Sequence, residues 1–121
     1  MTPFGARVRV YRAARGLTLK QMAADLQISP AYLSALEHGR RGRPSRMLFL
    51  QIAAYFELDW EAQEELETLL RHSNPKVTVD TAGLRPNATE LANRLAHRIR
   101  HLKPPAIERL LDLLREDAEK K

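Results

Sequence analysis

The chain of 121 residues contains no cysteine. That removes disulfide staples, thiol nucleophiles and cysteine-ligated zinc, and it fits a reducing compartment such as the cytoplasm. No apolar run approaches the roughly 18 residues that span a bilayer, and the N-terminal residues show no signal-peptide core, so no membrane partner is expected. Nor is there a glycine-rich loop able to cradle phosphates, or a Ser/His/Asp set that can be picked out. The carboxylates fall on amphipathic stretches and read as helix surface. Neither an enzyme nor a cofactor, metal or small-molecule ligand is expected. A chain of this length can bury a core without staples, as one domain or one plus a small appendage.

Acidic residues are scarce in the first half. Residues 1–58 hold three Asp/Glu against nine Lys/Arg, whereas residues 59–73 hold five against one and residues 74–121 hold seven against ten. The formal net charge of +5 is therefore gathered at the N-terminal side, as neutralisation of nucleic-acid phosphates requires. Ordinary solvated surface is the plain alternative, and the local motif decides between them.

That motif occupies residues 17–39. Thr18 caps a helix and Gln21, three residues on, closes a capping box. Met22, Ala23 and Leu26 then recur at helical spacing. Ser29-Pro30 starts a second helix, with serine as cap and proline in the first turn. Leu33 and Leu36 point inward, and His38-Gly39 ends the helix, where glycine takes the left-handed conformation. Two short helices, a turn of about three residues and a small alanine at the close contact describe a helix-turn-helix. Leu17, Ala23, Ile28-Ser29, Leu33, Leu36-Glu37 and Gly39, with Arg12 and Gly16 upstream, make residues 4–60 resemble the Xre/Cro family of lambda-repressor-like DNA-binding regulators.

The resemblance implies a five-helix domain that binds double-stranded DNA and regulates transcription in a bacterium or phage, repression being the simpler sign. It implies that Arg12 pairs with Glu37, clamping the first helix to the third, and that Trp60 is the aromatic closing the core. Two positions depart from the family pattern. Leu19 stands where a glutamine commonly touches the DNA backbone, which passes that contact to backbone N–H groups, Lys20 or Gln21. Gln27 stands where the turn often has glycine, at a cost of about 1–2 kcal/mol if the turn is left-handed.

The residues themselves fill in the rest. Thr2-Pro3 caps a first helix running to about Arg15, with Phe4, Val8 and Tyr11 as its core face and Arg7, Arg9 and Arg15 outward. With Leu33 and Leu36 inward, the third helix presents Ala31, Ser34, Ala35 and His38 to DNA, with Ser29 and Pro30 leading and Tyr32 at the side. Tyr32 can bond a phosphate or base, or pack on the fourth helix. This face lacks Arg, Asn and Gln, so thymine methyls against Ala31 and Ala35 matter more than bidentate base contacts. Arg40, Arg41 and Arg43 follow in a loop that grips phosphates or a narrow minor groove, a solvated loop being the alternative. Residues 45–57 read as a fourth helix with Met47, Leu48, Leu50, Ile52, Ala53 and Phe56 as apolar mass. Asp59 caps a fifth over residues 60–72, with Leu66, Leu69 and Leu70 inward.

Residues 1–73 are thus expected to form the DNA-binding domain, 74–85 an extended linker and 86–121 a C-terminal helical hairpin. Within the linker, residues 76–81 alternate with β-branched types and stay extended, as preferred, or pair across a dimer. The hairpin carries Leu91, Leu95, Ile99 and Leu102 on one helix and Ile107, Leu110, Leu111 and Leu114 on the next. It is too small to form its own core, so it docks on the first domain or, as preferred, on a second copy. His97 and His101 stand four apart but lack the surroundings of a metal site. The expectation is an all-α protein that binds DNA as a homodimer, with a hetero-partner of the same family as a variant. The rival is a DNA-tethered interaction module whose hairpin holds another protein.

Overall fold

Each of the first five helices begins on a side chain that accepts a hydrogen bond from its own first turn. Thr2, Thr18, Ser29, Ser45 and Asp59 cap α1 (Pro3–Ala14), α2 (Leu19–Leu26), α3 (Pro30–His38), α4 (Arg46–Tyr55) and α5 (Trp60–Arg71). Such caps satisfy N–H groups that otherwise lack partners inside the helix. The computed structural model describes residues 1–119, so the last two residues of the expected hairpin lie outside the described residues. It is all-helical and divides into two compact units, Met1–Val77 and a second beginning at Thr78.

In the first unit, α1 to α5 enclose one apolar cluster. Phe4 and Val8 of α1, Met22 and Ala23 of α2, Leu33 and Leu36 of α3, and Leu66 and Leu70 of α5 are all buried in it. The fourth helix contributes differently from its expected pattern. Phe49 is buried beside Leu48, Ile52 and Ala53, while Met47 is 71% and Leu50 42% exposed. At 100° per residue Leu48, Phe49, Ile52 and Phe56 share one face, and Met47 and Leu50 fall on the other. Trp60 is a second correction: it is 79% exposed and closes nothing. As the first residue of α5 it lies on the outer face with Gln63, Glu64 and Glu67. Phe56 closes the core instead, its ring 5.4 Å from that of Tyr11 and 5.1 Å from that of Tyr55. The Tyr55 hydroxyl donates to Asp25 at 2.6 Å and ties α4 to α2. Partial withdrawal from water and this carboxylate both raise the tyrosine's pKa.

The second unit holds α6 (Pro86–Arg98), a single 3₁₀ turn (Ile99–His101) and α7 (Pro104–Glu119). None of its described residues is buried. Leu91, Leu95, Ile99, Ile107, Leu110, Leu111 and Leu114 are exposed, and Leu102 is half-buried. Among the described residues, no helix is long and apolar enough to cross a membrane.

Candidate nucleic-acid interface

The turn between α2 and α3 is set by local chemistry on both sides. Thr18 N–H donates to Gln21 Oε1 at 2.8 Å, and Gln21 N–H donates back to Thr18 Oγ1 at 3.0 Å. The cap occupies the carbonyl oxygen of Gln21, which is exposed, and leaves its amide NH₂ available. Gln27 ends α2 in the left-handed conformation, with φ 59° and ψ 40°. This is the strained arrangement that a glycine would adopt freely. Ser29 Oγ then accepts from Tyr32 N–H at 3.0 Å and starts α3.

Along α3, Leu33 and Leu36 enter the core and the opposite side faces solvent. Ser29, Pro30 and Ala31 are exposed; Tyr32, Ser34, Ala35 and His38 are half-buried, Tyr32 with its ring against the core. His38 Nδ1 lies 2.9 Å from the Ser34 carbonyl oxygen, which directs its Nε2 away from the helix backbone. Arg40, Arg41 and Arg43 follow, all exposed, and the buried Pro44 anchors the end of their loop. Arg43 borders a shallow cleft shared with Glu67 and Leu70 of α5, but it is Arg46 that pairs with Glu67.

Four other arginines of the first unit are neutralised: Arg7 by Glu65 (2.8 Å), Arg12 by Glu37, Arg15 by Glu57 (3.4 Å) and Arg46 by Glu67. Among the described residues of the first unit, Arg9, Lys20, Arg40, Arg41, Arg43, Arg71 and Lys76 form no ion pair. Four of these seven lie on α2 and the loop after α3, three of them within residues 40–43, so unspent positive charge is densest beside α3, where an anion can use it.

Glu37 fixes α3 in place. Its carboxylate takes the Arg12 guanidinium with both side chains buried. Its backbone carbonyl accepts from both the N–H and the hydroxyl of Thr2, each at 3.1 Å. Gly5 lies directly against it: a Cβ on Gly5 would stand 2.6 Å from the Glu37 carbonyl carbon and 2.7 Å from its Cα. Gly39 ends the helix at φ 75°, and a Cβ there would reach Thr2 Cγ2 at 2.8 Å. Phe4 N–H donates to Ser73 Oγ at 3.0 Å, tying the same corner to the end of α5. Sequence reasoning reached Arg12, Glu37 and Thr2 as the cap of α1, but missed the bonds from Thr2 to Glu37 and the roles of Gly5 and Ser73. Nothing local in the sequence marked those contacts.

Two short capped helices joined by a tight left-handed turn, the second solvent-facing on one side, are the geometry of a helix-turn-helix. The chain belongs to that family: the profile of the helix-turn-helix domain matches residues 3–69. Three curated proteins of Bacillus subtilis (strain 168) are each similar to about half of it. The uncharacterized HTH-type transcriptional regulator RghRB is 39% identical over 61 residues, covering 50% of this chain and 44% of that protein. The HTH-type transcriptional regulator SlrR is 29% identical over 66 residues, covering 54% and 43%. The HTH-type transcriptional repressor RghR is 33% identical over 61 residues, covering 50% and 45%. The chain thus spans less than half the length of the curated relatives it matches. No solved structure gives a significant match.

Proposed function

We propose that the protein is a sequence-selective, double-stranded-DNA-binding regulator of transcription, acting as a repressor and as a dimer. The observation that carries this reading is the distribution of cations. Arg7, Arg12, Arg15 and Arg46 face carboxylates, and Arg9 and Arg71 stand singly on α1 and α5, while Arg40, Arg41 and Arg43 gather three uncompensated guanidinium groups within four residues beside the exposed edge of α3. In this reading Pro30, Ala31, Ser34 and Ala35 enter the major groove, with Tyr32 and His38 at its walls. Ser29, Lys20 and Gln21 meet the backbone of one strand, and the arginine loop meets that of the other. With so few hydrogen-bonding groups on α3, selectivity comes from apolar fit to thymine methyls and from DNA shape.

The dimer reading rests on the second unit. Its exposed leucines and isoleucines are a face that water alone does not stabilise, and a second copy supplies the same face in return. Two readers then occupy successive major grooves about 34–36 Å apart on a near-palindromic site. Repression follows because occupying a promoter requires no additional surface, and a relative is named as a repressor.

Genome-wide mapping of bound DNA, followed by anisotropy titration of the recovered site, tests the reading. Nanomolar binding to a site with two repeated half-sites is expected. Binding of a single copy to one unrepeated half-site removes the dimer. A chain that aggregates until another protein joins it favours the interaction-module alternative.

A further inference from the structure

Between α5 and α6 lies a stretch whose residue types disagree with a helical chain. Val77, Thr78 and Val79 are β-branched, and such side chains suit a pleated, half-buried strand. Here they have no strand beside them. Residues 74–80 are all exposed, Val77 by 70% and Val79 by 65%. Among the described residues, no backbone N–H or C=O of residues 74–80 takes part in a hydrogen bond. Unpaired backbone with an apolar face is a template for another chain, and proteins ordinarily cover it.

We infer that this segment pairs antiparallel with the same segment of a second copy, centred on Thr78. The residues select that occupant and that register. Antiparallel pairing about Thr78 sets Lys76 opposite Asp80 of the second copy, Val77 opposite Val79, and Thr78 opposite Thr78. Opposite charges, paired β-branched side chains and threonine pairs are all favourable across strands. A parallel pair in register would instead stack lysine on lysine and aspartate on aspartate. Shifting the centre by one residue loses the charge pair and sets Pro75 or Ala82 against the core of the ribbon. Alternation places Lys76, Thr78 and Asp80 on one face and the valines on the other, so the ribbon has one wet face and one made of four valines. Asp80 Oδ1 accepts from Ala82 N–H at 2.9 Å, leaving Oδ2 for the lysine. Pro75 stands just outside the paired residues, where its missing N–H disrupts no ladder.

Two short strands are marginal by themselves. The inference therefore rests on the dimer reading: once the second units associate, strand pairing gains the effective concentration of a tethered partner. The absence of native cysteine makes the test direct. Single cysteines are placed at each of positions 76–80 in the full chain and oxidised mildly. Directly opposed residues have Cα atoms about 4.5–5.5 Å apart, within disulfide reach. Thr78→Cys is expected to cross-link about tenfold faster than Lys76→Cys or Asp80→Cys, whose own copies lie about 13 Å apart at 3.3 Å per residue. Mixing Lys76→Cys with Asp80→Cys protein should yield the mixed dimer over either homodimer. Light scattering on the unsubstituted chain reports association separately. A dimer with uniform cross-linking, or with its maximum away from 78, overturns the strand pairing and leaves the dimer; a monomer overturns both. Lys76→Asp should weaken the dimer about tenfold through two like-charge pairs, and adding Asp80→Lys should restore it. Failure of the double variant to recover also overturns the pairing.

Discussion

Gly5→Ala adds one methyl group to α1 and should cost more than most truncations of the core. At an open site the change would favour the helix by up to about 1 kcal/mol. Here the new carbon would lie 2.6 Å from the Glu37 carbonyl carbon and 2.7 Å from its Cα. Ordinary carbon contacts need about 3.5 Å, so α1 and α3 must part by close to 1 Å. Both atoms are backbone, and no side chain can swing aside. Overpacking of this kind costs about 1–3 kcal/mol. The same displacement stretches the two 3.1 Å bonds from Thr2 to the Glu37 carbonyl beyond hydrogen-bond range, losing about 1 kcal/mol each. The balance is a loss of about 3 kcal/mol, or roughly 12–24 °C in Tm for a unit of this size. Thermal unfolding of the full chain, followed by circular dichroism, measures it. Ala6→Gly, at the exposed neighbouring position, controls for helix propensity and should lower Tm by only about 4–8 °C. A Gly5→Ala protein as stable as the parent would refute the reasoning and show that α3 is not held against α1 as described.

Four further outcomes are expected. Arg41→Ala with Arg43→Ala should weaken DNA binding across all sequences and flatten the dependence of log K on log salt by about 2; a loss confined to one base position would count against a backbone grip. Arg12→Ala should destabilise the first unit by about 3–5 kcal/mol, because it strands the buried Glu37 carboxylate, whereas Arg12→Leu with Glu37→Leu should cost far less; denaturant titration of the three proteins distinguishes the cases. Gln27→Gly should raise stability by about 1 kcal/mol by relieving the left-handed turn, and no gain in the denaturation midpoint would mean the turn is unstrained. Trp60, the single tryptophan, should emit at the wavelength of free tryptophan in the native protein and shift little on unfolding; a blue-shifted native spectrum would show it buried.

Helix starts were legible before any coordinates because they depend on short-range chemistry. The Thr18–Gln21 box, the Ser29-Pro30 start and the Asp59 cap each need only three or four consecutive residues. The inward positions of α3 followed from spacing for the same reason. Within α4, however, apolar residues outnumber the positions one face can hold, and the sequence suggests Met47 and Leu50 where the structure buries Phe49. Trp60 misled because size and aromaticity suggest burial, while its place at the first residue of α5 turns it outward.

Sequence alone therefore determined where the helices lie, which segment is the helix-turn-helix, and that positive charge collects near it. Those properties are written in nearest neighbours and composition. Only the tertiary structure decided which cations stay unpaired, since Glu57, Glu65 and Glu67 reach their arginines from 21 to 58 residues away. It alone showed that the end of α3 is seated on Thr2 and Gly5, contacts made through backbone atoms that every residue type shares and no pattern of side chains announces.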